Sequence, residues 1–225
     1  MPWQDQRFAD RRQAGRLLAE QVCRLALPPP ILVLGLPRGG VPVAYEVARA
    51  LAAELDVLVV RKIGMPGQPE LAIGAIAAGG IVVREPSVEQ FPGLAARFEQ
   101  LVQRERPELE RRERAYRGDK PPFDLHGRTV VLVDDGLATG ATMLAAIRAA
   151  RKAGAAHVAV AAPVASDEAA ALVTAEADDV AIVQTPALLM GVGAWYRDFE
   201  QIEDAEVRRL LDQEPASSRQ SARGG

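Results

Sequence analysis

The sequence contains little cysteine, little histidine and few aromatic residues. Its 225 residues include one cysteine, two histidines and 4% aromatic residues. The single cysteine, Cys23, excludes an intrachain disulfide and a metal centre built from several thiolates. With only His126 and His157 available, a zinc site is disfavoured, and we expect both histidines to lie at the surface. The sequence therefore predicts a reduced, cytoplasmic setting.

Charge of one sign and long apolar runs are also lacking. The formal net charge is −3, so the overall charge does not attract nucleic acid. No apolar stretch reaches the roughly 20 residues that cross a bilayer, and Met1–Asp5 does not resemble the start of a signal peptide. We expect neither a nucleic acid nor a membrane as a partner. The 48% of hydrophobic residues suffice for one domain over residues 1–211, and we expect a disordered tail over 212–225.

Short apolar runs alternate with helical patterns along most of the chain. The runs, each typical of a buried parallel strand, are 31–34, 56–60, 129–133, 157–162 and 180–183. The spacing of apolar residues predicts helices over 10–24, 41–55, 166–177 and 205–211, with Asp10 and Ser166 as N-caps. This alternation predicts an α/β fold with a mainly parallel sheet and helices on both of its faces.

Two segments interrupt this alternation. Residues 71–76 and 81–83 flank Gly79-Gly80, which predicts a β-hairpin. Residues 86–120 form a predicted helical insertion. Between Arg97 and Arg117, seven arginines and five glutamates interleave, and Pro107 predicts a kink or a break. We expect the insertion to lie over the sheet edge or to reach a partner subunit. Its mixed charges favour a solvated face with salt bridges over an RNA-binding surface.

The most informative stretch is Thr129–Thr142. Its apolar lead-in ends in two adjacent carboxylates, Asp134 and Asp135, and a turn rich in Gly and Thr then opens a helix. Open α/β sheets bind their ligands beyond the carboxyl ends of the strands. The N–H groups of Leu137–Ala141 at the helix N-terminus would suit a phosphate, and the hydroxyls of Thr139 and Thr142 would add donors.

The two carboxylates restrict what this turn would bind. Placed directly beside a phosphate they would repel it, so a neutral polyol or a cation should separate them from the anion. A ribose with its hydroxyls toward Asp134 and Asp135 and its 5′-phosphate in the turn meets both demands. The alternative is an ordinary βα turn with an aspartate cap, but a cap needs one such residue rather than six.

The segment Val133-Asp-Asp-Gly-Leu-Ala-Thr-Gly-Ala-Thr142 resembles the phosphoribosyl-pyrophosphate (PRPP) binding motif of the type I phosphoribosyltransferases. The resemblance implies that Asp134 and Asp135 hold the ribose 2′- and 3′-hydroxyls. It also implies that the 5′-phosphate is held by the turn, whose residues are Gly136, Leu137, Ala138, Thr139, Gly140, Ala141 and Thr142. The resemblance in the order of strands and helices covers residues 31–183 without the insertion. Within the family, the sequence most resembles stand-alone bacterial phosphoribosyltransferase-like proteins.

A second glycine-rich turn, Gly35-Leu-Pro-Arg-Gly-Gly40, follows the first strand. Adjacent glycines let the backbone approach an anion closely. A tight βα turn with a solvent-facing arginine explains the same residues equally well. The family resemblance implies a pyrophosphate-binding loop, with Arg38 and the N–H groups of Gly39 and Gly40 on the diphosphate.

Two cations, Arg61 and Lys62, follow the apolar run 56–60. Orotate-type members of the family resemble this arrangement, which implies that both side chains stabilise the departing diphosphate. A solvated positive edge is the alternative. The Gly- and Pro-rich loop and the hairpin that follow correspond to a mobile loop over the active site in the family. Glu70 in this loop is a candidate for proton transfer.

The irregular segment Leu188–Phe199 concentrates several of the few aromatic residues. In the family, the chain after the sheet forms a hood over the nucleobase, so residues 185–200 are the predicted hood. Trp195 or Tyr196 would stack on the base. Packing of the same aromatic rings in the core is the alternative.

The resemblance implies a transferase that moves the 5-phosphoribosyl group from PRPP to a nitrogenous base or amine and releases pyrophosphate. It implies Mg²⁺ as the cofactor, held mainly through the substrate, and we expect a homodimer. Family members that act on 6-oxopurines commonly carry an aspartate where this sequence has Ala138, which disfavours hypoxanthine and guanine as acceptors. Two other functions stay open: a PRPP- or nucleotide-binding regulator without turnover, and a protein that binds a partner through the insertion.

Overall fold

A five-stranded parallel sheet forms the centre of the fold. The computed structural model describes residues 7–85, 88, 92–121 and 123–213, apart from the side chains at 69, 70 and 92. The parallel strands are β1 (Ile31–Gly35), β2 (Glu54–Val57), β6 (Thr129–Val133), β7 (His157–Val164) and β8 (Asp179–Gln184). They lie in the order β2-β1-β6-β7-β8. The predicted fold class is confirmed.

Helices cover both faces of this sheet. The described residues include α1 (Arg11–Arg24), α2 (Gly40–Leu51), α3 (Pro92–Arg117), α4 (Ala141–Lys152), α5 (Asp167–Thr174) and α6 (Asp204–Asp212). Both predicted caps are confirmed, because Asp10 accepts from the Gln13 N–H at 2.7 Å and Ser166 accepts from the Ala169 N–H at 3.0 Å. Helix α2 ends four residues earlier than predicted, since Ala52 adopts a left-handed conformation with φ 50°.

The side chains of β6 show how the layers are held. Val130 and Leu132 pack on one face with residues of α4 and α5, while Val131 and Val133 pack on the other face with residues of α1 and α2. All four side chains are fully buried. A strand buried on both faces carries a continuous apolar run rather than an alternating one, which is why its sequence is apolar throughout.

A small antiparallel sheet lies beside the parallel one. It consists of β3 (Val60–Met65), β4 (Gln68–Ala77) and β5 (Ile81–Arg84), in that order. The predicted hairpin is therefore confirmed and gains a third strand. Helix α3, from the predicted insertion, buries Phe98 and Leu109 against this sheet and α6. It continues through Pro107, so the predicted break is wrong. Residues 86, 87 and 89–91 of the predicted insertion lie outside the described residues.

The apolar run 56–60, predicted as one strand, belongs to two sheets. Strand β2 ends at Val57 beside β1, and β3 begins at Val60 beside β4. Between them, the Leu58 N–H donates to the Gly35 carbonyl at 3.1 Å. Arg61 and Lys62 consequently lie on the antiparallel sheet. At the other end of the chain, α6 extends to Asp212, and residues 214–225 of the predicted tail lie outside the described residues.

Candidate active site

The carboxyl ends of β1 and β6 lie side by side. These strands pair up to Gly35 and Val133. After β1 the chain enters α2 on one face of the sheet, and after β6 it enters α4 on the opposite face. A change of face between adjacent parallel strands leaves a crevice beyond their ends. Both glycine-rich turns open at this crevice.

The first turn is pressed against the second. The Leu36 N–H donates to the Val133 carbonyl at 2.8 Å. A Cβ atom on Gly39 would lie 1.9 Å from Asp135 Oδ2, and a Cβ atom on Gly40 would lie 2.6 Å from the Val133 carbonyl oxygen. The contact between the two turns therefore requires glycine at positions 39 and 40, whether or not an anion binds there.

The two aspartates are half-buried and differ in their partners. Asp134 Oδ1 accepts a hydrogen bond from the Asp135 N–H at 2.9 Å. Asp135 Oδ2 accepts from Arg11 Nε at 2.8 Å, and the Asp135 carbonyl accepts from the Tyr196 hydroxyl at 2.6 Å. Asp135 is therefore held by both its side chain and its backbone, whereas the Asp134 side chain accepts from one backbone N–H among the described residues.

Burial dominates the electrostatics of this pair. It raises the pKa of Asp134 well above its ordinary value, and the neighbouring Asp135 charge raises it further. Burial also raises the pKa of Asp135, but the hydrogen bond and charge of Arg11 oppose that shift. Burial raises the pKa of Tyr196 as well, which keeps its hydroxyl protonated as a donor. The site thus concentrates negative charge that a hydroxyl-bearing or cationic ligand would relieve.

The turn before α4 presents backbone N–H groups to the same crevice. Gly140 occupies the N-cap position with φ 71°, a left-handed conformation that favours glycine. Within the described residues, the N–H groups of Ala138, Thr139 and Gly140 donate to no protein acceptor. The Leu137 N–H, in contrast, donates to the Val164 carbonyl at 2.8 Å. The expected set of phosphate donors therefore begins at Ala138 rather than at Leu137.

The cation of the first turn is paired within the protein. Arg38, which follows a cis peptide bond from Pro37, lies 3.5 Å from Asp204 at the start of α6. About one third of its side chain is exposed. The guanidinium is near the crevice but is not free of a carboxylate partner.

The predicted cations on β3 do not act as one pair. Arg61 Nε donates to Glu105 of α3 at 2.8 Å, and Lys62 is exposed. Successive residues of a strand point to opposite faces, so both side chains cannot face one diphosphate from this strand. Glu70 lies on β4, and its side chain lies outside what the structure describes, so its role stays a prediction.

The predicted hood touches the motif through an aliphatic contact. A Cβ atom on Gly136 would lie 2.5 Å from a methyl group of Val192. Trp195 and Tyr196 are 8% and 3% exposed, so the core-packing alternative describes both rings. Phe199 is the partly open ring of this segment, at 38% exposure.

Comparison with known proteins identifies the family. The model of the phosphoribosyl transferase domain matches residues 10–188, a range that includes both turns and the paired aspartates. The chain belongs to the phosphoribosyl transferase family. The resemblance drawn from the motif is confirmed.

Relatives within the phosphoribosyl transferase family are similar over most of this chain. Two proteins, from Mycobacterium tuberculosis strains CDC 1551 and H37Rv, carry a provisional name as phosphoribosyl transferases. Each is 47% identical over 206 residues, which is 91% of this chain but 46% of the relative. The chain thus spans about half the length of the curated relatives it matches. A Thermus thermophilus protein of known crystal structure is 46% identical with a TM-score of 0.85, over 91% of this chain and 97% of that one.

Two residues beside the phosphoribosyl transferase motif escaped sequence reasoning. Arg11 reads as part of the polar face of an amphipathic helix, yet it contacts Asp135 from 124 positions away. Asp204 reads as an acidic residue in the first turn of α6, yet it pairs with Arg38. No local pattern signals either contact, because each joins segments far apart in the chain.

Other parts of the described structure add no metal or membrane feature to this family member. Among the described residues, no three His, Cys, Asp or Glu side chains are grouped to hold a metal ion. None of the described helices combines the length and apolar character needed to cross a membrane. His126 is exposed, and His157 lies 2.7 Å from Asp179 at the amino-terminal edge of the sheet, away from the crevice.

Proposed function

We propose that this protein transfers the 5-phosphoribosyl group from PRPP to a nitrogen nucleophile and releases pyrophosphate. The observation that carries the proposal is the half-buried Asp134–Asp135 pair beside a helix N-terminus with uncommitted N–H groups. A diol, a phosphate and a leaving diphosphate are the three features that this crevice would recognise. The family match supports the same reaction class.

The aspartates would bind the ribose. Asp134 and Asp135 are acceptors, and a ribose offers two adjacent hydroxyl donors. Hydrogen bonds from a neutral hydroxyl to a carboxylate relieve part of the cost of burying the charge. An oxocarbenium-like ribose in the transition state would also be stabilised by two nearby carboxylates.

The turn before α4 would bind the 5′-phosphate. The N–H groups of Ala138, Thr139 and Gly140 donate to no acceptor in the part of the chain that the structure describes, and the positive end of the α4 dipole reinforces them. The hydroxyls of Thr139 and Thr142 would add donors. Anchoring the phosphate here would place the ribose over the aspartates.

The first turn would bind the diphosphate. Because Gly39 and Gly40 have no side chains, the backbone of this turn can lie directly beside the aspartates. Arg38 lies on the same turn. In this proposal Arg38 exchanges Asp204 for the diphosphate, and Arg61 or Lys62 approaches by movement of the β3–β4 region. Cations that meet the leaving group would stabilise its developing charge.

Mg²⁺ is the proposed cofactor. Asp134 and Asp135 offer the hard carboxylate oxygens that suit Mg²⁺, but the described residues contain no third acidic or imidazole side chain grouped with them. The ion would therefore be held mainly through oxygens of the donor. When bound, it would supply charge neutralisation for the diphosphate.

Calorimetric titration with Mg²⁺-PRPP tests the proposal. We expect the wild type to bind, and Asp134→Asn and Asp135→Asn to bind about 10- to 100-fold more weakly, because each removes a charge-assisted hydrogen bond to ribose. Asp212→Asn is the matched control, since its side chain is 70% exposed. Pyrophosphate release would then be screened with purines other than 6-oxopurines, pyrimidines and amines. Absence of binding by the wild type at millimolar PRPP would contradict the proposal.

One observation favours a second candidate, a PRPP- or nucleotide-binding regulator. Arg38 and Arg61, the cations expected on the diphosphate, are both paired with carboxylates of the protein itself. A binder that does not turn over has no need to release them. PRPP binding without pyrophosphate release across the acceptor screen would support the regulator over the transferase.

A further inference from the structure

Asp135 is held by residues from both ends of the described chain. Arg11, the first residue of α1, donates from Nε to Asp135 Oδ2 at 2.8 Å. Tyr196, beyond the last strand, donates its hydroxyl to the Asp135 carbonyl at 2.6 Å. The two segments are themselves joined, because the Phe8 N–H donates to the Trp195 carbonyl at 2.9 Å. A local βα turn needs none of these contacts.

The Arg11 guanidinium is fixed on several sides. Besides Asp135, it donates from Nη1 to the Glu200 carbonyl at 2.8 Å, and it lies 3.8 Å from the centroid of the Phe199 ring. The residue is only 8% exposed. An arginine with its donors engaged and one face on an aromatic ring has little freedom to turn away. Arg11 is therefore a fixed part of the site, unlike an exposed arginine that pairs with a nearby carboxylate by chance.

This arrangement distinguishes the two oxygens of Asp135. Oδ2 accepts the hydrogen bond from Arg11 and lies where a Cβ on Gly39 would stand, so it is committed to the protein. Oδ1 meets no side-chain donor in the described part of the chain, so it is the oxygen left for a ligand. Arg11 thereby determines which oxygen is left for a ligand.

We propose that Arg11 is a positioning residue for the ribose of the phosphoribosyl donor: it holds one carboxylate oxygen of Asp135 and so leaves the other for the ligand. The inference rests on the proposed function. Arg11 acts through Asp135 and does not touch the diphosphate or the 5′-phosphate. Its removal should therefore weaken ligands that carry ribose and spare pyrophosphate.

The test compares Arg11→Gln with Arg16→Gln, which removes the same charge from an exposed position on the same helix. Calorimetry would measure the affinity of each for Mg²⁺-PRPP and for Mg²⁺-pyrophosphate at neutral pH. We expect Arg11→Gln to bind PRPP about tenfold more weakly. Pyrophosphate affinity and all values for Arg16→Gln should match the wild type.

The outcomes separate the inference from the proposed function. No PRPP binding by the wild type would overturn both. Wild-type binding with an unchanged PRPP affinity in Arg11→Gln would overturn the role of Arg11 alone, as would equal losses for PRPP and pyrophosphate.

If Arg11→Gln does not fold, the wild type itself supplies the test through NMR of the Arg11 Nε–H. We expect this resonance to stay protected from solvent exchange when Mg²⁺-PRPP is bound. Its collapse into rapid exchange on binding would show that the donor displaces Arg11 and would overturn the proposal.

Discussion

The two glycine-rich turns at the crevice use glycine for different physical reasons. In the first turn, Gly39 and Gly40 have ordinary backbone angles, but a side chain on either would strike the second turn. In the second turn, Gly140 has φ 71°, and a Cβ there would lie 3.3 Å from Ala169 and Leu172, which is tight but without the overlap found at Gly39 and Gly40. Contact between turns thus dictates the first pair, and backbone conformation dictates Gly140.

This difference teaches what each turn contributes to the site. The first turn is shaped by its neighbour, so changes there should be transmitted to the aspartates. The second turn is shaped by its own backbone, so changes there should alter the helix start and the N–H groups before α4. Substitutions at single glycines can separate these effects.

The largest effect is expected for Gly40→Ala. Its Cβ would lie 2.6 Å from the Val133 carbonyl oxygen and 2.9 Å from the Asp134 α-carbon, and backbone atoms cannot move aside as a side chain can. We expect unfolding free energy to fall by about 1–3 kcal/mol. Thermal denaturation should show this as a lower midpoint, by about 2–4 °C for each kcal/mol.

Gly93→Ala is the control for that experiment, because a Cβ there meets nothing within 4 Å and α3 favours alanine over glycine. It should leave the midpoint unchanged or raise it. Equal midpoints for Gly40→Ala and Gly93→Ala would contradict the close approach of the two turns.

The next effect is expected at Gly140, where conformation rather than contact is decisive. Gly140→Ala should cost about 1–2 kcal/mol, the penalty of a left-handed residue with a side chain. Gly140→Asn should cost less, because asparagine tolerates this conformation better. The measurement is chemical denaturation of both variants. Equal losses for Ala and Asn would point to crowding against Ala169 instead of backbone strain.

A third prediction concerns the pH dependence that burial of Asp134 creates. Its pKa is raised above the ordinary value of 3.8, so the folded state binds this proton more tightly than the unfolded state. The associated stability is fully present below the ordinary value and is lost as pH rises through the raised pKa. Asp134→Asn should therefore be more stable than the wild type at neutral pH, by on the order of 1 kcal/mol.

The advantage of Asp134→Asn should shrink as the pH falls toward the ordinary carboxyl range, which thermal denaturation at several pH values would show. Asp212→Asn, at an exposed position, provides the comparison. A stability difference that does not change with pH would show that the charge of Asp134 is not the cause.

The smallest effect on stability is expected for Gly39→Ala, because the three heavy atoms nearest to its Cβ all belong to the carboxylate of Asp135. Movement of that side chain relieves the clash but weakens its hydrogen bond to Arg11, so we expect a loss of about 1 kcal/mol. PRPP affinity should nevertheless fall, since the displaced carboxylate is the proposed ribose acceptor. Denaturation and calorimetry on the same sample would separate the effect on stability from the effect on PRPP affinity. Normal PRPP affinity in this variant would argue that Asp135 does not contact the ligand.

A feature of this structure can be predicted from the sequence when the residues that determine it are close together in the chain. The β6 strand, its two aspartates and the start of α4 lie within one short stretch, and the strand-end rule for parallel sheets places them correctly. The caps Asp10 and Ser166 are equally local. In contrast, residues 56–60 form one apolar run, and such a run does not reveal that the chain changes sheets between Val57 and Val60.

The side-chain partners of the site could not be predicted for a related reason. Arg61 looked free for a diphosphate because Glu105 lies 44 positions away, on a helix whose docking surface has no local signature. The Leu137 N–H looked free because its acceptor, Val164, belongs to the next strand. The sequence reveals which residue types lie near a strand end. It does not reveal which of their donors and acceptors are already paired, because that depends on how distant segments pack.

The joining of the segments around Arg11 and Tyr196 over Asp135 also has a consequence for the order of events during synthesis. All eight described strands have left the ribosome once Gln184 has emerged, and the family match ends at residue 188. The contacts from Tyr196 and Glu200 reach Asp135 and Arg11 only later. A chain arrested after its last described strand would hold the complete motif while lacking the clamp around it. The site would therefore be finished only after the residues up to Glu200 have emerged, well after its defining residues.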